Sequence, residues 1–250
     1  MKEETFNKWF NVFILGGMTI ALIITTVLKL GNAQAGRMLL VISAFGSLMG
    51  VLSTVCSANG RILTFLFGLL DVTIYGAMCF VNWRSGGSGL GNFILHAVYF
   101  VPMQFVGFFQ WRKRGAGSES KVKARRLNGS QWLIYTAAFV AGTVAAYFII
   151  ARFDKSAAEG FIRVAVVLDV IPLVCNIIGQ LLMSAAYVEQ WIFWIGVNVT
   201  SILMWSFSLR EGTGDFAVIY IVKYSFYLLN AINGLRIWAG LSRKSEGLEK

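Results

Sequence analysis

The sequence predicts an all-α integral membrane protein with eight transmembrane helices: one extra N-terminal span plus two parallel three-helix repeats joined by a linker helix, a 3+1+3 plan. Three observations carry this. Hydrophobic residues make up 57% of the 250 positions and charged residues only 14%, far from the balance of a soluble domain. Two apolar helix faces match at a spacing of 127 positions: His96, Phe100, Met103, Gly107 and Trp111 against Lys223, Tyr227, Asn230, Gly234 and Trp238. The lysines and arginines fall unevenly on alternate sides of the spans.

In chain order, hydropathy places spans at 9–28, 38–57, 62–81, 92–111, 132–151, 162–185, 190–208 and 216–238. The first run lacks a small-residue cleavage signature and is long enough to cross the hydrocarbon, so it reads as a span rather than a signal peptide. The organisation follows: 1–37 carries the span outside the repeats, 38–111 is repeat 1, and 112–130 is a basic loop. Then 131–161 is the linker helix, 162–238 is repeat 2, and 239–250 is a tail. Further glycines extend the duplication, Gly50 with Gly179 and Gly68 with Gly196. One helix separates two odd-numbered units, so both cross the membrane in the same sense.

The loop from Arg112 to Arg126 holds seven cations against one Glu119. Of the 22 Lys and Arg residues, 13 lie on the side of this loop and the termini, seven on the other side, and Lys223 and Arg236 within the last span. The positive-inside rule then puts both termini and the basic loop in the cytoplasm. No aromatic residues interleave the basic run, so it reads as topology and attraction to anionic lipid, not as a nucleic-acid footprint. Cys56, Cys79 and Cys175 lie in apolar segments and read as buried thiols, with no disulfide framework and no metal-ligand spacing.

Polar residues inside the spans mark candidate functional positions, because lipid offers them no partners. In the seventh span Trp191, Trp194, Asn198, Ser201 and Trp205 share a narrow arc, with Gln190 on its edge. Trp191 and Trp205 read equally well as interfacial anchors, whereas Trp194 and Asn198 sit too deep for an aromatic belt and point to ligand contact. Asp71, on a face with Thr64, Gly68 and Tyr75, is a membrane carboxylate, to be read as functional or as a structural partner of Lys223 or His96. Asp169, Pro172, Asn176 and Gln180 read as bend and packing, and His96 as a helix-pairing residue rather than a proton relay. Gln104, beside Pro102, suits a substrate or an interhelical hydrogen bond equally. Lys223, Tyr227 and Asn230 share the inward face of the last span.

Trp194-Ile195-Gly196-Val197-Asn198 reads W-x-x-x-N in the penultimate span. With Pro102-Met103-Gln104, the run Asn230-Ala231-Ile232-Asn233-Gly234 and the 3+1+3 plan, the chain resembles PnuC, the bacterial nicotinamide riboside transporters, from residue 38 to 238 at least. The resemblance implies a SWEET-like fold, a homotrimer in the inner membrane, and facilitated diffusion of nicotinamide riboside, with net uptake drawn by a separate cytoplasmic kinase. The protein itself is then no enzyme and needs no cofactor. No G-x-x-x-x-G-K-[ST] loop occurs, which excludes a P-loop pump.

The residues suit such a substrate, expected at a midplane site between the repeats. Trp191 and Trp194 offer ring faces to a pyridinium cation, while Asn198, Gln104 and Asn230 offer amides to its carboxamide or ribose, and Tyr227, Asp71 and Lys223 complete the expected lining. Thiamine or riboflavin on the same fold is an alternative. A retinal-binding photoreceptor, with Lys223 as its lysine and a membrane aspartate as counter-ion, is a remote one that the duplication disfavours.

Overall fold

A computed structural model describes residues 3–31, 37–84, 90–117, 120–153, 164–210 and 217–248, and these are helical almost throughout. The elements are α1 (Glu3–Gly31), α2 (Arg37–Ala58), α3 (Thr64–Arg84), α4 (Leu90–Leu95), a π-helical turn (His96–Phe100), α5 (Val101–Lys113), α6 (Gly129–Phe153), α7 (Val164–Ser184), α8 (Gln190–Arg210) and α9 (Ala217–Leu248). Among the described residues, six segments through α7 are long and apolar enough to cross a membrane. The last two helices, α8 and α9, match them in length, at 21 and 32 residues.

Two boundaries depart from the hydropathy reading. Helix α1 starts at Glu3, where Glu3 and Glu4 favour the positive end of the helix dipole. Helix α9 runs ten residues past Trp238 to Leu248, so most of the expected tail is helix. Its polar end is held by tertiary contacts: Ser242 is fully buried and accepts a hydrogen bond from Arg126 Nε at 3.2 Å. The fourth span is broken by the π turn, where Val101 N–H reaches back to the His96 carbonyl one residue before Pro102, which has no N–H to give.

The chain forms two compact units, Met1–Lys123 with Ser184–Ala186, and Ala124–Met183 with Tyr187–Lys250. In the first, α1 packs on α2, α2 on α3, and α3 on α4 and α5. Asn11 and Asn59 exchange two amide hydrogen bonds of 3.2 and 3.1 Å between α1 and the end of α2. Ser53 Oγ donates to the Thr64 carbonyl, and Thr64 Oγ1 to the Ser53 carbonyl, at 2.8 and 3.0 Å. In the second unit α8 lies along α9. Large apolar side chains such as Val98, Leu133 and Phe148 remain exposed, and no residue in the apolar window of α6 is buried, as lipid-facing surface requires.

Equivalent details recur about 126 residues apart. The turn after α2 has Gly60 at φ 67° and a 2.9 Å bond from Arg61 N–H to the Cys56 carbonyl. The turn after α7 has Ala186 at φ 61° and a 2.9 Å bond from Tyr187 N–H to the Leu182 carbonyl, the same left-handed cap 126 residues on. Next, Phe65 lies on Gly107 and meets Trp111 edge-on at 4.9 Å, while Trp191 lies on Gly234 and meets Trp238 at 6.2 Å. Both glycines are required, since a Cβ on either would enter the aromatic ring facing it.

Candidate functional site

The α8 stripe read from the sequence faces α9. Trp191 meets Gly234 and Trp238, Ser201 hydrogen-bonds Tyr224, and the Trp205 ring stacks on Tyr220 at 4.2 Å with planes 12° apart. These pairings define one antiparallel register. It sets Asn198 level with Tyr227, and Trp194 level with Ala231, next to Asn230. Asn198 and Asn230 are both buried.

Trp194 is half-buried and uses one edge of its indole against α7, where a Cβ on Gly179 would stand 3.3 Å from Cε2 and Cζ2. Trp191 is only 2% exposed, with its benzo ring on Gly234, and its Nε1 has no hydrogen-bond partner among the described residues. Lys223 Nζ stands 5.6 Å from the Tyr227 ring centroid, near enough for cation–π attraction. Arg236 donates from Nε and a terminal nitrogen to Asn233 Oδ1, at 3.1 and 2.9 Å, and so is spoken for by a neighbour on its own helix. Six of the eight sequence-selected residues therefore lie on this helix pair.

The other two belong to the first unit. Gln104 is buried on α5, and its Oε1 accepts no hydrogen bond among the described residues. Gly68 makes room for it, since a Cβ there would lie 2.6 Å from that oxygen. A buried acceptor left open is what a ligand donor or a water satisfies. Asp71, half-buried on α3, lies over the backbone of α2 at Gly50, whose Cβ would stand 2.8 Å from Oδ2.

His96 has a structural setting. Its ring lies between Tyr75 and Phe100 at 4.7 and 4.9 Å, and Nδ1 is 2.8 Å from the Asn92 carbonyl. Asn176 Nδ2 donates to the Pro172 carbonyl at 2.8 Å, which fits the bend-and-packing reading of that face. Sequence reasoning missed Phe65 and Glu189. Phe65 was within reach, because it lies 126 positions before Trp191 in the repeat; Glu189 carried no pattern at all.

The family model described as "Nicotinamide mononucleotide transporter" matches residues 40–240. The nicotinamide riboside transporter PnuC of Neisseria mucosa is 31% identical over 250 aligned residues, covering 98% of this chain and 88% of that protein. That of Haemophilus influenzae is 30% identical, covering 82% and 81%, and that of Escherichia coli is 24% identical, covering 81% and 87%. A crystal structure of the vitamin B3 transporter PnuC superposes with a TM-score of 0.66 at 29% identity, covering 96% of this chain and 92% of that one. This multi-pass chain therefore belongs to the PnuC family of membrane transporters.

Proposed function

We propose that this protein takes up nicotinamide riboside by facilitated diffusion, with net uptake drawn by a separate kinase that phosphorylates the substrate in the cytoplasm. The observation that carries the reading is the α8–α9 register, which sets Trp194 and Asn198 beside Tyr227 and Asn230. An indole beside amides suits a flat cation with a polyhydroxyl tail. Trp191 forms a wall of the same site, and Lys223 lies along it. Within the first unit, Gln104 and Asp71 are the further substrate-binding residues of the proposal. The proposal includes the eight-span 3+1+3 arrangement, a homotrimer, and both termini and the basic loop in the cytoplasm of a bacterial inner membrane.

The riboside is preferred to the mononucleotide because a phosphate dianion needs clustered cations. Among the described residues of α8 and α9 within the expected spans, the cations are Lys223 and Arg236, and Arg236 already serves Asn233. The test is calorimetric titration of the purified protein with nicotinamide riboside, nicotinamide mononucleotide, thiamine and riboflavin. The riboside binds most tightly, and Trp194→Ala and Asn198→Ala each weaken it at least about tenfold, or about 1.4 kcal/mol, in folded protein. Equal affinity for riboside and mononucleotide refutes the selectivity and the trapping mechanism built on it. Proteoliposomes clamped at zero voltage equilibrate the substrate without concentrating it, whatever pH or sodium gradient is imposed. The clamp is essential, since a lone cation gains about 2.3 kcal/mol per 100 mV.

A further inference from the structure

Residues 120–128, before α6, form an ordered strap. Its sequence alternates, and so does its burial: Val122, Ala124 and Leu127 are buried, whereas Lys121 and Lys123 point outward. From Ala124 onward it is fastened to the turn before α8. Val188 N–H donates to the Arg125 carbonyl at 2.9 Å, and the Arg125 guanidinium lies 4.1 Å over the Tyr187 ring. Gln131 Nε2, on α6, donates to the Tyr187 hydroxyl at 2.9 Å.

The last fastening is ionisable. Leu127 N–H donates to Glu189 Oε2 at 3.2 Å, and Glu189, only 6% exposed, immediately precedes the first residue of α8. Burial pushes its carboxyl above the usual range, against the opposing pull of its backbone hydrogen bonds and the charge of Arg126. Arg126 also ties the strap to Ser242 on α9, next to the exposed Arg243 and Lys244. The titratable groups around the clasp are Arg125 and Arg126 on the strap, Tyr187 in the turn and Tyr135 on α6. A buried carboxylate with one charged neighbour costs stability, so an apolar residue would serve better if only packing were needed.

We propose that Glu189 is a positioning residue for transport: its carboxyl group clamps the strap to the start of α8, and deprotonation toward the cytoplasm loosens the clamp and slows turnover. The inference rests on the transport reading and topology above. Trp194 and Asn198 lie on α8, five and nine residues after Glu189, so the clamp sits at the start of the helix that carries them. Their seating against Gly179 and the α9 register does not depend on the clamp, so substrate affinity is maintained while turnover changes.

Two arms test this on the full-length protein. In proteoliposomes Glu189→Ala lowers turnover at least threefold, with riboside Kd within twofold of wild type. Glu189→Gln keeps an acceptor for Leu127 N–H but cannot change charge. Its turnover is therefore flat as internal pH rises from about 5 to about 8, where wild type slows. Wild-type turnover in Glu189→Ala, a parallel loss of affinity, or a wild-type pH profile in Glu189→Gln overturns the proposal. If Glu189→Ala does not fold, the Glu189→Gln profile decides alone. The second arm needs no substrate: amide hydrogen exchange over residues 120–128 is at least tenfold faster in Glu189→Ala, and unchanged exchange in folded variant protein overturns the clamp. Failure of wild type to bind the riboside would refute the transport reading and leave this second result standing.

Discussion

Gly234 and Gly240 lie less than two turns apart on α9, and replacing each by alanine should move stability in opposite directions. Alanine is favoured over glycine inside a helix by about 1 kcal/mol. Nothing lies within 4 Å of a Cβ built on Gly240, so Gly240→Ala should deliver that gain. A Cβ on Gly234 would stand 2.7 Å from Cη2, Cζ2 and Cζ3 of Trp191 together. That indole is 2% exposed and backed by the fully buried Trp238, so it has nowhere to retreat. Overpacking of this kind costs about 1–3 kcal/mol, which cancels or exceeds the helix gain. The expected net loss for Gly234→Ala is therefore about 0–2 kcal/mol. Thermal unfolding of the purified protein in detergent, followed by intrinsic fluorescence, measures both, at roughly 2–4 °C per kcal/mol for a chain of this size. The loss should shrink when Trp191→Phe is combined with Gly234→Ala, because the smaller ring vacates the space. A Gly234→Ala protein stabilised as much as Gly240→Ala would refute the wedge.

Three further outcomes follow from the packing and electrostatics. Gly107→Ala should destabilise more than Gly234→Ala, since its Cβ would lie still closer to Phe65; the same melting curves decide. Because burial raises the Glu189 carboxyl, its favourable contribution is fully present below the unfolded value of about 4.3 and is lost as pH rises through the folded one. Glu189→Gln should accordingly melt above wild type at pH 7, with the gap closing on acidification, as a series of melts from about pH 4 to about pH 8 would read. Gly60→Ala forces an L side chain to φ 67° and should cost about 1–2 kcal/mol, whereas Ala186→Gly relieves the same strain but empties a buried methyl site, and its melting point should stay close to wild type.

The parts of this molecule that hydropathy or helical period controls were readable in advance. The spans through α7 follow from apolar length, and the paired faces ending in Trp111 and Trp238 follow from angular spacing. The α8 stripe was legible as a face, but its partner was not, because period gives an angle and no register. The π turn at His96–Phe100 was invisible, since proline marks a break without saying how the backbone absorbs it. The strap and the extension of α9 were hidden for the opposite reason. Lys, Arg and Ser look solvated in sequence, and only tertiary contact buries Val122, Ser242 and the Glu189 carboxylate. The open acceptor of Gln104 needs Gly68 opposite it, a relation between helices that no single segment encodes.

The reciprocal amides of Asn11 and Asn59 bear on how deep α1 sits. Ile14 and Met18 are the side chains that α1 buries, and greasy contacts of that kind tolerate sliding along a neighbouring helix. The amide pair does not. A displacement of one turn, about 5.4 Å, would part both hydrogen bonds at once, leaving Asn59 Nδ2 only its bond to the Val55 carbonyl and stranding the other three polar groups where few partners exist. A single polar pair on an otherwise apolar helix thus works like the notch on a ruler, fixing the height of α1 against the end of α2 much as a buried asparagine fixes the alignment of a coiled coil.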